Sequence, residues 1–328
     1  MNTFIIVLSF IAFTFAELQD PYLDSSKNEV ANDLDEAKEY EILMQKLGKT
    51  QNFGDFLENL QKSLAPRSGD HYGYEENSEY PPNRWSEKWA TCGGIRQSPI
   101  DINLSSCQRD LSLFPLKFHN FDHHPSSMTV TNVGHSVQFS FEFKKDAPYL
   151  SRGILNSKKY ILAQIHFHFG KTDDSGSEHK INSKSSALEM HSVFYKSTYA
   201  DVSEASGHSG GLVVIGNLFE ASDDVPNQFF VQYLSQVPQS GQSVTVKDAK
   251  GNRMIDFIGS LDFKYVRYEG SLTTPPCSEA VTWYVSTSVR EISREDLANF
   301  RDLYGDEGKM NGNYRPVQAI NGRKCYAH

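Results

Sequence analysis

Short apolar runs dominate the chain after about residue 70. Four of them are rich in Val, Ile, Phe and Tyr and are bounded by Gly, Ser, Asp and Pro: residues 128–143, 161–169, 188–195 and 211–219. Runs of this length and composition predict β-strands. The clearest helical pattern covers residues 293–304, where Ser293 is placed to cap the helix N-terminus. The pattern therefore predicts a mainly β (α+β) domain over residues 70–328.

The first 16 residues carry no charged side chain and are mostly apolar, and Glu17 then opens an acidic stretch. An apolar run of about 14 residues at an N-terminus is too short to span a bilayer and is typical of a signal peptide. We predict a signal peptide over residues 1–16 and a secreted, extracellular protein. No second apolar run reaches spanning length, so we expect no membrane anchor.

Residues 17–69 differ in composition from the rest of the chain. Between Glu17 and Pro66 there are 11 acidic residues against five Lys. Apolar residues recur there at roughly helical spacing, which predicts one or two amphipathic helices followed by a polar linker. These residues are Leu34, Ala37, Met44, Leu47, Phe53, Phe56, Leu57, Leu60 and Leu64. The extension could be a pro-segment, an arm that contacts Ca²⁺ or an extracellular matrix, or a solvated tail.

Composition and charge indicate which partners the protein is expected to bind. Charged residues make up 22% of the chain and the formal net charge is −9, which is typical of a globular protein with an acidic surface. Such a surface repels phosphate backbones, so nucleic acid is excluded as an expected partner. In a secreted protein, the four cysteines predict two disulfides, and their spacing leaves three pairings open. The sequon Asn103-Leu104-Ser105 makes Asn103 a predicted glycosylation site.

Two of the predicted strands carry a pattern of candidate metal ligands. Because side chains alternate along a strand, Gln164, His166 and His168 share one face, and Glu189 and His191 share one face of the other strand. If these strands are neighbours, three imidazoles converge. Three His with an open fourth position is typical of a catalytic Zn²⁺. Gln164 and Glu189, each two residues before a ligand, are then placed to orient the imidazole rings.

Several further motifs occur in the order and spacing known from one family. They are residues 71–74 (HYGY), 96–101 (RQSPID), 164–170 (QIHFHFG), 176–179 (GSEH), 271–276 (SLTTPP) and 315–316 (RP). Together with the histidines, they make the chain resemble an α-class carbonic anhydrase from about His71 to the C-terminus. The resemblance implies a single domain built on a large central, mostly antiparallel twisted sheet with short peripheral helices.

The resemblance also implies an activity. His166, His168 and His191 would bind Zn²⁺, and a zinc-bound hydroxide would convert CO₂ reversibly to bicarbonate and a proton. Thr273 would accept the hydrogen bond of the hydroxide and donate its own to Glu178. Weak esterase activity would be a side reaction, and CO₂ and bicarbonate would be the substrates.

Further roles follow from the same resemblance. Asn313 would support the zinc ligands from behind, and His135 would export the proton with Tyr74, Asn132 and Gln138 holding the intervening waters. The CO₂ pocket would be formed by Val193, Val214, Leu272, Thr274, Val281 and Trp283.

The resemblance pairs Cys92 with Cys277, which leaves Cys107 for Cys325. Two other functions stay open at this point. One is a different metal-dependent hydrolase, and the other is an extracellular matrix or mineral-associated binding protein that uses the same fold.

Overall fold

The computed structural model describes residues 71–109, 116–247, 253–258 and 264–327. These residues belong to a compact unit that runs from Ser68 to His328. The predictions of a signal peptide over residues 1–16 and of a helical acidic extension over residues 17–69 lie outside the described residues, and they stay predictions.

Strands account for most of the regular structure. In chain order they are β1 (Asp101–Ile102), β2 (Gln108–Arg109), β3 (Lys117–His119), β4 (Ser127–Asn132), β5 (Val137–Glu142), β6 (Tyr149–Ser151), β7 (Tyr160–Phe169), β8 (Lys180–Ile181), β9 (Leu188–Lys196), β10 (Leu212–Ser222), β11 (Ser243–Lys247), β12 (Tyr265–Gly270), β13 (Val281–Ser286), β14 (Arg290–Ser293), β15 (Tyr304–Gly305), β16 (Gly308–Lys309) and β17 (Tyr326–Ala327). The four predicted strand segments all contain strands, and the first of them is the β4–β5 hairpin.

Helices are few and short in the described part of the chain. The α-helices are α1 (Trp85–Lys88), α2 (Val202–Ser206), α3 (Met254–Ile258) and α4 (Arg294–Arg301), and 3₁₀ turns cover Ala90–Gly93, Leu104–Ser106, Gly153–Leu155 and Val231–Gln236. Helix α4 begins where the sequence predicted, because the Ser293 hydroxyl accepts a hydrogen bond from the Asp296 amide at 3.0 Å. None of the described helices is long and apolar enough to cross a membrane.

One large sheet organises the domain, with the strand order β11-β4-β5-β7-β9-β10-β13-β12-β17-β2. Strand β14 also pairs with β10, and β6 joins β3 to the edge of β7. Most neighbours are antiparallel, whereas β10 runs parallel to β13 and β14, and β17 runs parallel to β2. The prediction of a mainly β domain with a large, mostly antiparallel sheet and short helices is confirmed.

The sheet packs against a different set of side chains on each face. On β7, Ile165, Phe167 and Phe169 enter the larger hydrophobic core. On the opposite face, Val193 of β9 and Trp283 of β13 belong to a second apolar cluster. Because successive side chains on a strand alternate between faces, the imidazoles of β7 point away from the larger core.

Two disulfides join distant parts of the domain. Cys92 is bonded to Cys277 and Cys107 is bonded to Cys325. Strand β17 pairs with β2 beside the second bridge, where the Gln108 amide donates to the Cys325 carbonyl at 2.9 Å. The pairings implied by the family resemblance are therefore present in the structure.

Candidate active site

The three candidate zinc ligands come together on the face of the sheet predicted for them. Strands β7 and β9 pair antiparallel, with His166 directly opposite His191 and His168 opposite Glu189. One imidazole nitrogen each from His166, His168 and His191 lies within 4.8 Å of the other two. Strand alternation and this register are sufficient to bring them together, as the sequence indicated.

Hydrogen bonds orient the two histidines of β7. Nδ1 of His166 lies 2.9 Å from the Gln164 side-chain oxygen, and Nδ1 of His168 lies 2.7 Å from the Asn313 backbone carbonyl. Both partners are acceptors, so each Nδ1 carries the proton and each Nε2 presents a lone pair. Gln164 therefore has the orienting contact predicted for it, and Asn313 orients His168 through its main chain.

The third histidine is oriented by a buried carboxylate. Nε2 of His191 lies 2.8 Å from Glu189 Oε1, so the Nδ1 lone pair of His191 faces the other two rings. Glu189 also accepts hydrogen bonds from Nδ1 of His179 and from the His179 amide, both at 2.7 Å. Burial alone would raise the pKa of Glu189, but the imidazoles of His179 and His191 hold it well below the ordinary value.

Behind this carboxylate lies a polar network that carried no predicted role. His179 Nε2 lies 2.6 Å from the Tyr268 hydroxyl, which lies 2.8 Å from Ser98 Oγ. His179 also belongs to a second possible metal-binding group with Glu189 and His191. Those atoms are already hydrogen-bonded to one another, so the group orients the His191 ring. The motif at residues 176–179 marked His179, but only the fold shows what it contacts.

The donor set fits Zn²⁺. Nε2 of His168 is buried and has no hydrogen-bond partner within the described residues, so its lone pair is available to a cation. Burial lowers the pKa of His168 to about 3 and lowers the pKa values of His166 and His191 as well. Metal ligation requires the neutral imidazole, which this environment favours. Within the described residues this group holds three neutral nitrogens and no fourth ligand, which matches a catalytic zinc site.

Glu178 lies beside the ligands. Its Oε1 accepts the Arg315 amide at 2.8 Å, and its Oε2 lies 3.5 Å from His168 Nε2. Burial and then the Glu189 charge raise the pKa of Glu178 well above its ordinary value, and the hydrogen bond from the Arg315 amide opposes this rise. Thr273 is itself 4% exposed. Glu178 Oε2 has no hydrogen-bond partner among the described residues, so the partnership of Thr273 with Glu178 stays a prediction.

Arg315 contacts the candidate site, and the sequence analysis gave it no role. Its guanidinium is buried and donates to the Gln97 side chain at 2.9 Å, to the Ser98 carbonyl at 2.8 Å and to the Cys92 carbonyl at 3.1 Å. These bonds fix the main chain whose amide holds Glu178. The Arg-Pro motif at residues 315–316 was the available signal.

The residues predicted for the CO₂ pocket form an apolar wall on the same face. Val193, Val214, Val281 and Trp283 are all at most 3% exposed, and Leu272 packs against them. The Trp283 ring lies 4.7 Å from the His191 ring. Thr274 is half-buried at the turn that follows Leu272, where its carbonyl accepts the Cys277 amide at 2.8 Å.

The predicted proton-transfer residues lie in different environments. His135 and Tyr74 line a cavity of about 420 Å³, and the His135 ring contacts the Tyr72 ring with 4.8 Å between centroids. Burial lowers the pKa of His135 to about 4, against the opposing effect of the Asp306 charge. Gln138 lies opposite His166 in the β5–β7 pair and donates to Ser140 Oγ at 3.2 Å.

Asn132 requires a correction. It was predicted to hold water in the proton path, but its side chain is fully buried. Its Nδ2 donates to the carbonyls of Val237 at 3.2 Å and Tyr304 at 3.0 Å, and its Oδ1 accepts the Gly134 amide at 3.0 Å. Asn132 therefore uses its amide to fix the loop that carries His135, and it does not face the cavity.

Asn103 is exposed at the start of a 3₁₀ turn. Its Oδ1 accepts hydrogen bonds from the Ser105 amide at 3.1 Å and from the Ser105 hydroxyl at 2.7 Å. Exposure is compatible with glycosylation, which stays a prediction.

Comparison with known families agrees with this geometry. A family model described as eukaryotic-type carbonic anhydrase matches residues 80–328. The match covers well over half of the chain and contains the three converging histidines, their orienting partners and the apolar wall. The chain therefore belongs to the eukaryotic-type carbonic anhydrase family.

Proposed function

We propose that the protein is a secreted zinc enzyme that catalyses the reversible hydration of CO₂ to bicarbonate and a proton. The observation that carries this proposal is the convergence of three imidazole lone pairs, each fixed by a separate hydrogen-bond acceptor. His166, His168 and His191 would hold the ion. Bound Zn²⁺ would act as a Lewis acid that activates water near neutral pH, chemistry for which carbonic anhydrases are the standard example.

Thr273 and Glu178 would orient the attacking water. If the three histidines held a divalent cation, its positive charge would favour the carboxylate of Glu178 over the protonated form. The carboxylate would then accept a hydrogen bond from the Thr273 hydroxyl, so the Thr273 oxygen would be left to accept a hydrogen bond from the nucleophile. The Arg315 amide and its buried guanidinium hold Glu178 in position.

The apolar wall supports CO₂ as the substrate. Val193, Val214 and Trp283 are buried next to the ligands and offer no hydrogen bonds along their aliphatic and ring surfaces. An apolar molecule such as CO₂ gains by leaving water for this surface, whereas charged bicarbonate does not. Weak ester hydrolysis would be a side reaction of the same activated water.

His135 would take part in proton export. Its position in the cavity supports this role, although an imidazole with a pKa of about 4 remains mostly neutral at pH 7. Secretion is supported by two disulfides, which persist in oxidising compartments, and by the N-terminal sequence pattern.

The test compares the full-length protein with a His168→Ala variant and a His124→Ala control. His124 is exposed, so its replacement should leave hydration unchanged. Changes in the shell around a metal cost 10- to 100-fold in affinity or activity, so loss of a ligand should cost at least about 100-fold. Stopped-flow CO₂ hydration and zinc content are the measurements, and circular dichroism checks folding. A folded, zinc-loaded wild-type protein without hydration above background would refute the proposal.

A further inference from the structure

Basic side chains lie on one face of the sheet edge that β3 and β6 form beside the start of β7. Lys117 and His119 are two residues apart on β3, opposite Ser151 and Tyr149 of β6. Strand β6 pairs on its other side with β7, and Lys159 immediately precedes that strand. The residues that alternate with these enter the larger core, so this set shares the outward face of the sheet.

The Tyr149 ring orders two of these side chains. The His119 imidazole stacks on it, with 4.2 Å between the ring centroids and 4° between the planes. Nζ of Lys159 lies 4.3 Å from the Tyr149 centroid, which is a cation–π contact. His119 Nε2 also lies 2.8 Å from Ser151 Oγ. Because these groups are already held in place, a ligand that contacts them loses less free energy to side-chain ordering.

The charged groups that act on His119 are all positive. Burial lowers the pKa of its imidazole, and the charges of Lys117, Arg152 and Lys159 lower it further. In the part of the chain that the structure describes, none of these three cations forms an ion pair with a carboxylate. Their charge is therefore available to an anion, although the whole chain has a net charge of −9. Together with His119, these three cations form the basic surface.

The basic surface is too wide for one small anion. Lys117 lies on β3 and Lys159 lies beside β7, and β6 separates these strands. Neighbouring strands are about 4.8 Å apart, so the two lysines start about 10 Å apart across the sheet. A chain that carries repeated anionic groups can contact the whole basic surface at once, whereas a single sulfate or phosphate ion cannot.

The class of anion follows from the charge of the protein and from its compartment. Clusters of Lys and Arg are typical of surfaces that bind heparin or nucleic acid. The acidic surface as a whole disfavours nucleic acid, and the two disulfides support a secreted protein. Outside cells, sulfated polysaccharides supply chains of repeated sulfate groups that stay ionised at physiological pH.

We propose that the basic surface binds an extracellular sulfated polysaccharide. The proposal goes beyond CO₂ hydration and rests on the proposed function only for the secretion of the protein. Sulfate groups lie against the cations and displace their counterions, so binding weakens as salt rises. Lys159 is seven residues before His166 in the chain, about 20 Å away along β7. Binding therefore leaves the candidate active site open.

Binding of the full-length protein to immobilised heparin at physiological ionic strength supplies the first test. The double variant Lys117→Gln/Lys159→Gln removes two cations of the basic surface. The matched control, Lys184→Gln/Lys264→Gln, changes the net charge equally at exposed lysines on other elements. We expect binding to weaken about fivefold for each cation lost from the basic surface, so about 25-fold in the first variant, and by no more than about twofold in the control. Circular dichroism checks folding.

A second readout follows the His119 imidazole by NMR titration. Saturating heparin should move its midpoint to higher pH in the wild-type protein, because nearby sulfate groups stabilise the imidazolium. Without heparin, Lys117→Gln/Lys159→Gln should also move the midpoint to higher pH, because repulsion from two cations is lost. Heparin should then cause a smaller shift in this variant than in the wild type. An unchanged His119 midpoint in wild-type protein saturated with heparin would place the ligand elsewhere and overturn the proposal.

The remaining outcomes separate the ligand classes and the two proposals. Equal weakening in the two double variants, or wild-type protein that does not bind heparin, would overturn the proposal. Equally tight binding of duplex DNA, or of hyaluronan, which carries carboxylates and no sulfate, would overturn a sulfated polysaccharide as the ligand. CO₂ hydration by both double variants should match the wild type. Wild-type protein that binds heparin through the basic surface but does not hydrate CO₂ would refute the proposed function alone.

Discussion

Two regions of the candidate active site, the three histidines of the floor and the loops of the rim, are built in different ways. The floor, His166, His168 and His191, comes from two adjacent strands of one sheet, and a single register brings the rings together. The rim, residues 71–78 with the β15–β16 hairpin, is assembled from segments more than 220 residues apart in the chain, as in the Ser78–Glu307 hydrogen bond. The floor therefore depends on strand periodicity, whereas the rim depends on long-range contacts between loops.

The largest effect is expected from removal of the Cys92–Cys277 disulfide, which lies next to the rim. Cys92 and Cys277 share a cluster with Trp85, and Tyr72 and Tyr74 pack against that cluster. Replacing both cysteines by Ser should cost 2–5 kcal/mol of unfolding free energy, the usual range for a native disulfide. We also expect kcat to fall while zinc stays bound, because the floor is untouched. Denaturant unfolding, zinc content and CO₂ hydration are the measurements.

The other disulfide is the matched control. The sequence separation is 218 residues for Cys107–Cys325 and 185 residues for Cys92–Cys277. Because each bridge lowers the conformational entropy of the unfolded chain, each should stabilise the folded protein by about 5 kcal/mol. Replacing Cys107 and Cys325 by Ser should therefore destabilise to a similar extent and lower kcat less, since Cys325 lies in the apolar cluster of the floor and not in the rim. Equal losses of kcat in the two double variants would contradict the expectation that only the first disulfide supports the rim.

A smaller effect is expected from a change beneath the floor. Glu189→Gln removes the negative charge that accepts hydrogen bonds from His191 and His179. Loss of such an orienting partner weakens metal affinity by about 10- to 100-fold. Gln164→Ala removes an uncharged acceptor from a less buried position, so its effect should lie at the lower end of that range. Competition with a chelator measures both affinities. Wild-type zinc affinity in Glu189→Gln would contradict the support assigned to Glu189.

The smallest effect is expected at Glu279, beside the rim disulfide. Burial would raise the pKa of Glu279, but hydrogen bonds from the Arg96 amide, Gln97 and the Arg96 guanidinium give a net lowering. A lowered folded pKa contributes stability above the unfolded pKa, near 4.3, and that contribution is lost as pH falls through the folded value. Glu279→Gln should cost about 1 kcal/mol at pH 7. The Tm difference from wild type should disappear near pH 3, and a difference that persists there would point to packing as the cause.

Some features of the site could be predicted because they follow local rules. Alternation along β7 places Gln164 and His166 on one face, and the structure has their hydrogen bond at 2.9 Å. Ser293 caps α4 for a similarly local reason. The role predicted for Asn132 was wrong because its partners, Val237 and Tyr304, lie over 100 residues away in the chain.

The sequence by itself determined the fold class, the three converging histidines and the family, since strand periodicity and motif order can both be seen in consecutive residues. Only the tertiary structure showed that Arg315 holds Glu178, that Tyr268 stands behind His179, and that His71 lies between two carboxylates. These contacts join segments far apart in the chain. Which residues meet there depends on how the loops pack against the folded sheet. No local pattern of polar and apolar residues specifies that packing.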